Sequence, residues 1–350
     1  MTTTPALVVR TDGGPNIGGG HVMRCLALAQ AWSDAGGRVG FCAAILSPSL
    51  RQRLACENFD VFEIGAAAGA AGDADATVAA AAALGASSVV VDGYHLPADY
   101  RRRLRQAGLK VAALDDNGER GRYPDDLVIN QNRHAAPELY RERASHTRLL
   151  LGTDYALLRR EFRNWRGPSR SFPAAARRVL VTLGAADPDN VTSDVVACLG
   201  SALSAATEVV VLVGGSNPHA DAIGVRAQRL PACRLIHDAA DEMPDLMAAA
   251  DLAVCAGGST MWEMACMGVP FIAVVIADNQ RAAVQAMARD GYPTLDRETV
   301  GRDLPGIVTA LAASSGRRRE LSYTGRRLVD GKGVERVCAV LRDLANPAVA

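Results

Sequence analysis

The stretch Leu252–Cys255, Ala256-Gly257-Gly258-Ser259-Thr260-Met261-Trp262-Glu263-Met264-Ala265-Cys266-Met267-Gly268-Val269-Pro270 and Phe271–Ile276 reads as strand, glycine turn, helix and strand. Both strand segments are apolar without alternation, as strands covered on both faces are, so the unit is a parallel βαβ crossover. Gly268-Val269-Pro270 ends the helix and opens the second strand. A helix that begins near Ser259 turns backbone amides and two hydroxyls, Ser259 and Thr260, toward the carboxyl end of the strand, a seat suited to a diphosphate. Glu263 lies about one turn further on, on the side of Ser259, placed to accept hydrogen bonds from ribose hydroxyls. Asp278-Asn279-Gln280 follows the second strand at the same end, so Asn279 and Gln280 also face the cleft as candidate ligand contacts. Ile236 and His237, which close the strand candidate Cys233–His237, complete the substrate-binding set with Gly257 and Gly258. An ordinary βαβ unit accounts for the alternation, but less well for all these polar groups at one end.

The same rhythm extends outward in both directions. Arg178–Leu183 and Glu208–Val213 are strand candidates in the second half, each followed by a helical segment. In the first half Ala6–Arg10, Arg38–Ala44, Asp60–Gly65, Ser87–Asp92, Lys110–Asp115 and Asp126–Asn130 read as strands. Helical spacing fills His21–Ala35, Asp73–Leu84 and Pro97–Ala107, and Ser47-Pro48 offers an N-cap and first-turn pair for another helix. The alternation breaks at Arg163–Ala176, where Gly167, Pro168, Ser169, Ser171 and Pro173 mark a linker. The fold class is therefore α/β, with two Rossmann-like domains at 1–165 and 177–350 and a ligand cleft expected at the carboxyl ends of their strands. A chain of 350 residues is long enough to bury two such cores.

Composition narrows the partners. Lysine and arginine balance aspartate and glutamate at 38 each, so a polyanion finds no general attraction and nucleic acid is not an expected partner. The eight cysteines are scattered, with no C-x-x-C pair. Cys42, Cys198, Cys255 and Cys266 lie in apolar runs and read as small core residues. No apolar run is long enough to span a bilayer and no leader pattern opens the chain, so a cytoplasmic protein without membrane contact is expected. Oligomeric state is not legible.

A second glycine loop, Arg10-Thr11-Asp12-Gly13-Gly14-Pro15-Asn16-Ile17-Gly18-Gly19-Gly20-His21, joins the first strand to the first helix. Its glycines permit a sharp turn and close approach of a ligand to the main chain. The helix start favours an anion there. The loop is a poor dinucleotide fingerprint, because Met23 holds the place of the third glycine and no suitable acidic residue ends the second strand. His21 is either a cap or a base beside an anion site; its position at a strand's carboxyl end favours the base. Gly18, Gly19, Gly20, Arg24 and Asp12 are the neighbouring candidate binding residues, and Asp12 or Asp115 is a candidate to orient His21.

Taken in order, these segments resemble the GT-B nucleotide-sugar enzymes. Among them they are most similar to the UDP-sugar hydrolases of pseudaminic acid biosynthesis and their spore-coat polysaccharide relatives. Ile17-Gly18-Gly19-Gly20-His21-Val22-Met23-Arg24 matches the opening loop, whose histidine is the proposed base. Val91-Asp92-Gly93-Tyr94 is similar to the segment with a functional tyrosine, although Tyr94 also reads as a packed aromatic. Asp115-Asp116, Ile129-Asn130-Gln131-Asn132, Gly152-Thr153-Asp154-Tyr155-Ala156-Leu157-Leu158-Arg159 and Val181-Thr182-Leu183-Gly184 continue the series, which ends with the Gly-Gly-Ser-Thr helix and Asn279-Gln280. Ala185 departs from the usual second glycine.

The resemblance implies hydrolysis of the bond between the anomeric carbon of a UDP-linked, diacetamido-type deoxy sugar and the diphosphate. His21 would activate water, with Tyr94 contributing to catalysis. Loop amides and helix N-termini can stabilise the leaving diphosphate, so neither metal nor other cofactor is expected. A glycosyltransferase, with His21 deprotonating an acceptor hydroxyl, is the alternative. A non-catalytic sugar-nucleotide-binding protein is the other.

Overall fold

The structure is a computed structural model that describes residues 5–14, 17–163, 165, 170–238 and 241–345. Pro15 and Asn16 of the first glycine loop, and Gly167, Pro168 and Ser169 of the expected linker, lie outside them. The chain forms two compact units whose boundaries fall at Arg160/Glu161 and Gly331/Lys332.

The first unit runs β1 (Ala6–Thr11), α1 (Gly20–Asp34), β2 (Arg38–Ala43), α2 (Pro48–Cys56), β3 (Asp60–Glu63), α3 (Ala71–Leu84), β4 (Ser88–Asp92), α4 (Ala98–Gln106), β5 (Lys110–Leu114), β6 (Leu127–Asn130) and β7 (Arg148–Leu151). All seven strands are parallel, in the order β3-β2-β1-β4-β5-β6-β7. Alternation along β1 shows why the strands read as continuous apolar runs. Leu7 and Val9 join a core with Leu26, Ala27 and Trp32 of α1, whereas Ala6 and Val8 join a core with Ala81, Leu84 and Leu104 of α3 and α4. Strand order reverses between β1 and β4, the place where open α/β sheets leave a crevice at their carboxyl ends.

Helix α5 (Arg160–Arg163) straddles the boundary, and the second unit then runs β8 (Arg178–Thr182), α6 (Val191–Ala202), β9 (Glu208–Val213), α7 (Ala220–Ala227), β10 (Cys233–His237), α8 (Met243–Ala249), β11 (Leu252–Ala256), α9 (Thr260–Met267), β12 (Phe271–Val275), α10 (Arg281–Arg289), β13 (Thr294–Asp296), α11 (Val300–Ala313) and α12 (Ser315–Leu328). Its six parallel strands are ordered β10-β9-β8-β11-β12-β13, with the reversal between β8 and β11. Gly268 takes φ +67° as the C-cap of α9, the left-handed turn expected where the helix stops.

Three features depart from the sequence expectation. The last helix, α13 (Gly333–Ala345), packs on the first unit, not on the second as the 177–350 boundary implied. Val334, Val337 and Leu341 enter the α1 core, each worth about 1.5–3 kcal/mol of burial. Together they rival the marginal stability of a domain. A Cβ on Gly333 would lie 2.4 Å from the Ala156 backbone, so only glycine lets the helix start there. Arg160 belongs to the first unit through ion pairs with Asp34 (2.6 Å) and Glu57 (2.9 Å), which moves the boundary back from 165. The edge strands β7 and β13 are additional to the expected set. Among the described residues no helix is long and apolar enough to cross a membrane. All eight cysteines are free thiols; Cys42, Cys255 and Cys266 are buried, while Cys198 is only half-buried.

Candidate functional site

In the first unit the residues singled out by sequence gather at the β1/β4 reversal. Thr11 and Asp92 are register partners at the ends of these strands, so the loops that follow them are neighbours. His21, in the first turn of α1, brings Nδ1 to 2.8 Å from Asp92 Oδ1. An ionised carboxylate only accepts, so Nδ1 carries a proton, and in the neutral ring the lone pair is on Nε2. Asp92, not Asp12 or Asp115, is the carboxylate that orients His21. Arg24, one turn along α1, donates to Asp92 through Nε and Nη2 (both 2.7 Å) and to Asp116 through Nη1 (2.7 Å). Its Nη2 also lies 3.2 Å from His21 Nδ1, a contact of two donors and not a hydrogen bond. Burial opposes ionisation of Asp92 and Asp116, but the Arg24 charge outweighs it and holds both carboxyls well below the usual range. With its fork held by two carboxylates, Arg24 positions the site and is not a free ligand-binding cation.

Tyr94 stands over this cluster. Its ring meets His21 edge-on, with centroids 5.1 Å apart, and its hydroxyl donates to Asp116 Oδ2 at 2.6 Å. Asn132 Nδ2 donates to the other oxygen of Asp116 at 2.8 Å. Tyr94 is 45% exposed although it is tethered in this way, so it is not a packed core aromatic. Within the loop, Gly18 has φ +76° and exchanges backbone bonds with Gly14 at 2.7 and 3.2 Å. A Cβ at Gly18 or Gly20 would meet nothing, so the space beside them is open. Gly19 caps α1 with no side-chain hydrogen bond, and its first turn holds no acidic residue, so the positive end of the helix is not offset there by its own side chains.

Asp12 and Asp115 do other work. Asp12 accepts from Ala44 N (2.7 Å) and Ile45 N (2.9 Å), pairs with Arg10, and holds His95 Nε2 at 2.7 Å. It clamps the glycine loop to the segments after β2 and β4. Asp115 accepts from the amides of Asn117 (3.0 Å) and Gly118 (3.2 Å) and from the Tyr123 hydroxyl. Burial pushes the Asp12 carboxyl up, but the His95 bond and the Arg10 charge prevail and bring it down to about 2. Because this lies below the free value of 3.8, Asp12 stabilises the fold fully above that range and loses its contribution as pH falls from about 4 through 2. An acid titration of unfolding is expected to show a loss of roughly 2–3 kcal/mol over that window, removed in Asp12→Asn.

In the second unit the Gly-Gly-Ser-Thr turn sits at the β8/β11 reversal, between β11 and α9. Its two glycines have different reasons. A Cβ at Gly257 would come 2.3 Å from Val284 Cγ2 and 3.0 Å from Gln280 Cβ, so Gly257 is dictated by packing against α10. A Cβ at Gly258 would meet nothing within 4 Å, so this residue borders open space. Gly257→Ala is therefore expected to cost about 1–3 kcal/mol of stability in a denaturant melt, and Gly258→Ala almost none. Ser259 is the N-cap of α9 and makes no side-chain cap bond; Ser259 and Thr260 are half-buried, and Glu263 is buried in the first turn. Gln280, expected on the sugar, uses Oε1 to accept from Gly257 N (3.2 Å) and Ile276 N (3.1 Å), tying the two loops together. Asn279 beside it is exposed. Ile236 and His237 lie on another strand of the same sheet. They end β10, an edge strand three positions from β11, about 14 Å away at ordinary strand spacing.

Among the described residues no group of three or more His, Cys, Asp or Glu is arranged to hold a metal ion. The two Asp-x-Asp spacings are engaged elsewhere. Asp73 holds Arg10 (2.7 Å) and Asp75 holds Arg103 (2.8 Å). Asp187 accepts from Val191 N and Thr192 N at the start of α6, and Asp189 pairs with Arg297.

Two parallel-sheet units of this kind are a GT-B-like fold, and solved structures agree. The chain superposes on the Acinetobacter baumannii MurG structure with TM-score 0.65 and 15% identity, over 97% of this chain and 99% of that one. It superposes on spinosyn rhamnosyltransferase SpnG, complexed with thymidine diphosphate, with TM-score 0.67 and 17% identity, over 97% and 100%. Residues 178–299 match the glycosyltransferase family 28 C-terminal domain, which contains the Gly257–Glu263 turn and Asn279-Gln280. The chain is also similar to the spore coat polysaccharide biosynthesis protein SpsG of Bacillus subtilis (strain 168), 28% identical over 254 residues, 71% of this chain and 74% of that protein.

Proposed function

We propose that the protein transfers a glycosyl group from a nucleoside diphosphate sugar to an acceptor hydroxyl. The second unit seats the nucleotide and the first supplies the base. The observation that carries this reading is that each glycine–helix motif falls at the strand-order reversal of its own sheet. The match of residues 178–299 to a glycosyltransferase C-terminal domain supports it. UDP is the expected nucleotide from the sequence resemblance; SpnG, which shares the fold, is complexed with thymidine diphosphate.

In this mechanism the acceptor oxygen attacks the anomeric carbon as the bond from that carbon to the β-phosphate oxygen breaks. The acceptor proton passes to His21 Nε2, and Asp92 stabilises the imidazolium through Nδ1. The departing diphosphate takes the electron pair, stabilised by the amides at the start of α9 with Ser259 and Thr260. Glu263 receives the ribose hydroxyls, and Asn279 contacts the sugar. Tyr94 orients the reacting sugar, and Gly18, Gly19 and Gly20 leave room beside it.

Hydrolysis is the second reading, resting on the ordered series of motifs from Ile17 to Gln280, with water in place of the acceptor. The glycosyltransferase match moves the balance toward transfer. The two are separated by incubating the protein with UDP- and dTDP-sugars, with and without acceptor sugars and cell-wall or polysaccharide fragments. UDP or dTDP formed only with acceptor supports transfer. Fast release with donor alone supports hydrolysis. Tight nucleotide-sugar binding with no turnover under any condition would sink both and leave a binding protein.

A further inference from the structure

Arg120 is a buried cation without a hydrogen-bond partner, beside the proposed base. Its side chain is 4% exposed, and Nε, Nη1 and Nη2 are all buried with no acceptor. The nearest carboxylate oxygen, Asp92 Oδ1, lies 4.0 Å away, beyond hydrogen-bond range, and is already taken by His21 and Arg24. Cζ lies 5.8 Å from the centroid of the Tyr94 ring, on the cluster that holds His21. The backbone of Arg120 is fixed separately, its amide donating to the Tyr123 hydroxyl at 3.3 Å. Buried guanidinium groups are normally fully bonded, so three orphaned nitrogens call for an explanation. The carboxylates nearby do not supply one, because Asp92 and Asp116 are bonded to Arg24 and Asp125 to Arg101. What is missing is an acceptor oxygen.

We propose that Arg120 is a specificity residue that binds a planar carbonyl-type oxygen on the glycosyl group, either an acyl amide or a carboxylate. The planar fork of donors fits such an oxygen better than it fits a hydroxyl. Tyr94 is exposed and its ring lies 5.8 Å from Arg120 Cζ, so it marks the side from which the oxygen reaches the guanidinium. The proposal rests on the nucleotide-sugar reading of this site. The structural alternative is an Arg120 satisfied by internal water, whose removal costs stability.

The test compares wild type, Arg120→Met and Arg120→Lys for Tm, UDP affinity, and turnover of UDP-N-acetylglucosamine, UDP-glucuronic acid and UDP-glucose. Arg120→Met is expected to keep or raise Tm and to leave UDP affinity unchanged. It should lose about 10–150-fold in kcat/KM on the preferred carbonyl-bearing donor, little on UDP-glucose, with partial rescue by lysine. A preference for one donor in wild type assigns the oxygen to an amide or a carboxylate. A fall in Tm with parallel losses on all three donors, or no loss on any, overturns the proposal. If wild type neither binds UDP nor turns over a donor, the nucleotide-sugar reading fails, and acetate and acetamide decide for Arg120. A rise in wild-type Tm that is absent in Arg120→Met supports the oxygen site, and equal responses overturn it.

Discussion

His21→Ala is expected to lower kcat by about 10²–10⁴-fold while nucleoside diphosphate affinity stays nearly unchanged. The loss follows from the geometry around the ring. Nδ1 is committed to Asp92 at 2.8 Å, so Nε2 is the nitrogen left to take a proton. The imidazole side chain is 12% exposed, so an incoming hydroxyl can reach it. His21→Gln would test the same point with a side chain that hydrogen-bonds but does not accept a proton at neutral pH, and should fall nearly as far. Steady-state kinetics with the best donor, alongside calorimetry with UDP, measures both halves of the expectation. Equal losses in affinity and turnover would make His21 a binding residue.

Asp92→Ala is expected to act on folding as well as on chemistry. Asp92 is fully buried and receives two bonds from Arg24 and one from His21. Removing it leaves the Arg24 guanidinium buried with only Asp116 as a charged partner, a cost of about 3–5 kcal/mol. That is about a fifth or more of the stability of an ordinary domain, so a large fall in the denaturation midpoint is expected. Asp92→Asn keeps the volume and some hydrogen bonding, so it should fold better, yet lose turnover because an amide no longer fixes the proton on Nδ1. A normal melt for Asp92→Ala would contradict the network described here.

Much of this was legible in the sequence because buried parallel strands are continuous apolar runs. Glu208–Val213 and Cys233–His237 have the expected bounds. The edge strands β7 and β13 were harder to see, being four and three residues long with little pattern to read. Helix α13 shows its apolar stripe in sequence, but a stripe does not say which core it joins. His21 stood out by its place after a glycine loop at a strand's carboxyl end, and Tyr94 through the resemblance of Val91-Asp92-Gly93-Tyr94 to a family segment. Asp92 did not stand out as the partner of His21, because the pair is 71 residues apart and meets only through the β1/β4 register. Asp12 attracted attention by proximity in sequence, yet the turn directs it to His95. Gln280 and Gly257 looked like ligand contacts, and the packing of the turn shows that they also hold it in shape. Arg120 carries no local pattern at all; only its unmet nitrogens reveal it.

The proposed division of labour assigns nucleotide binding to the second unit and proton transfer to the first. Titration calorimetry of UDP against wild type, His21→Ala and Gly258→Val tests it most directly. Gly258 borders open space, so a valine there should fold normally while filling the proposed diphosphate seat. The account predicts tight binding to wild type and to His21→Ala, and binding lost in a well-folded Gly258→Val. Undiminished UDP binding by Gly258→Val, with binding abolished in His21→Ala, would contradict it.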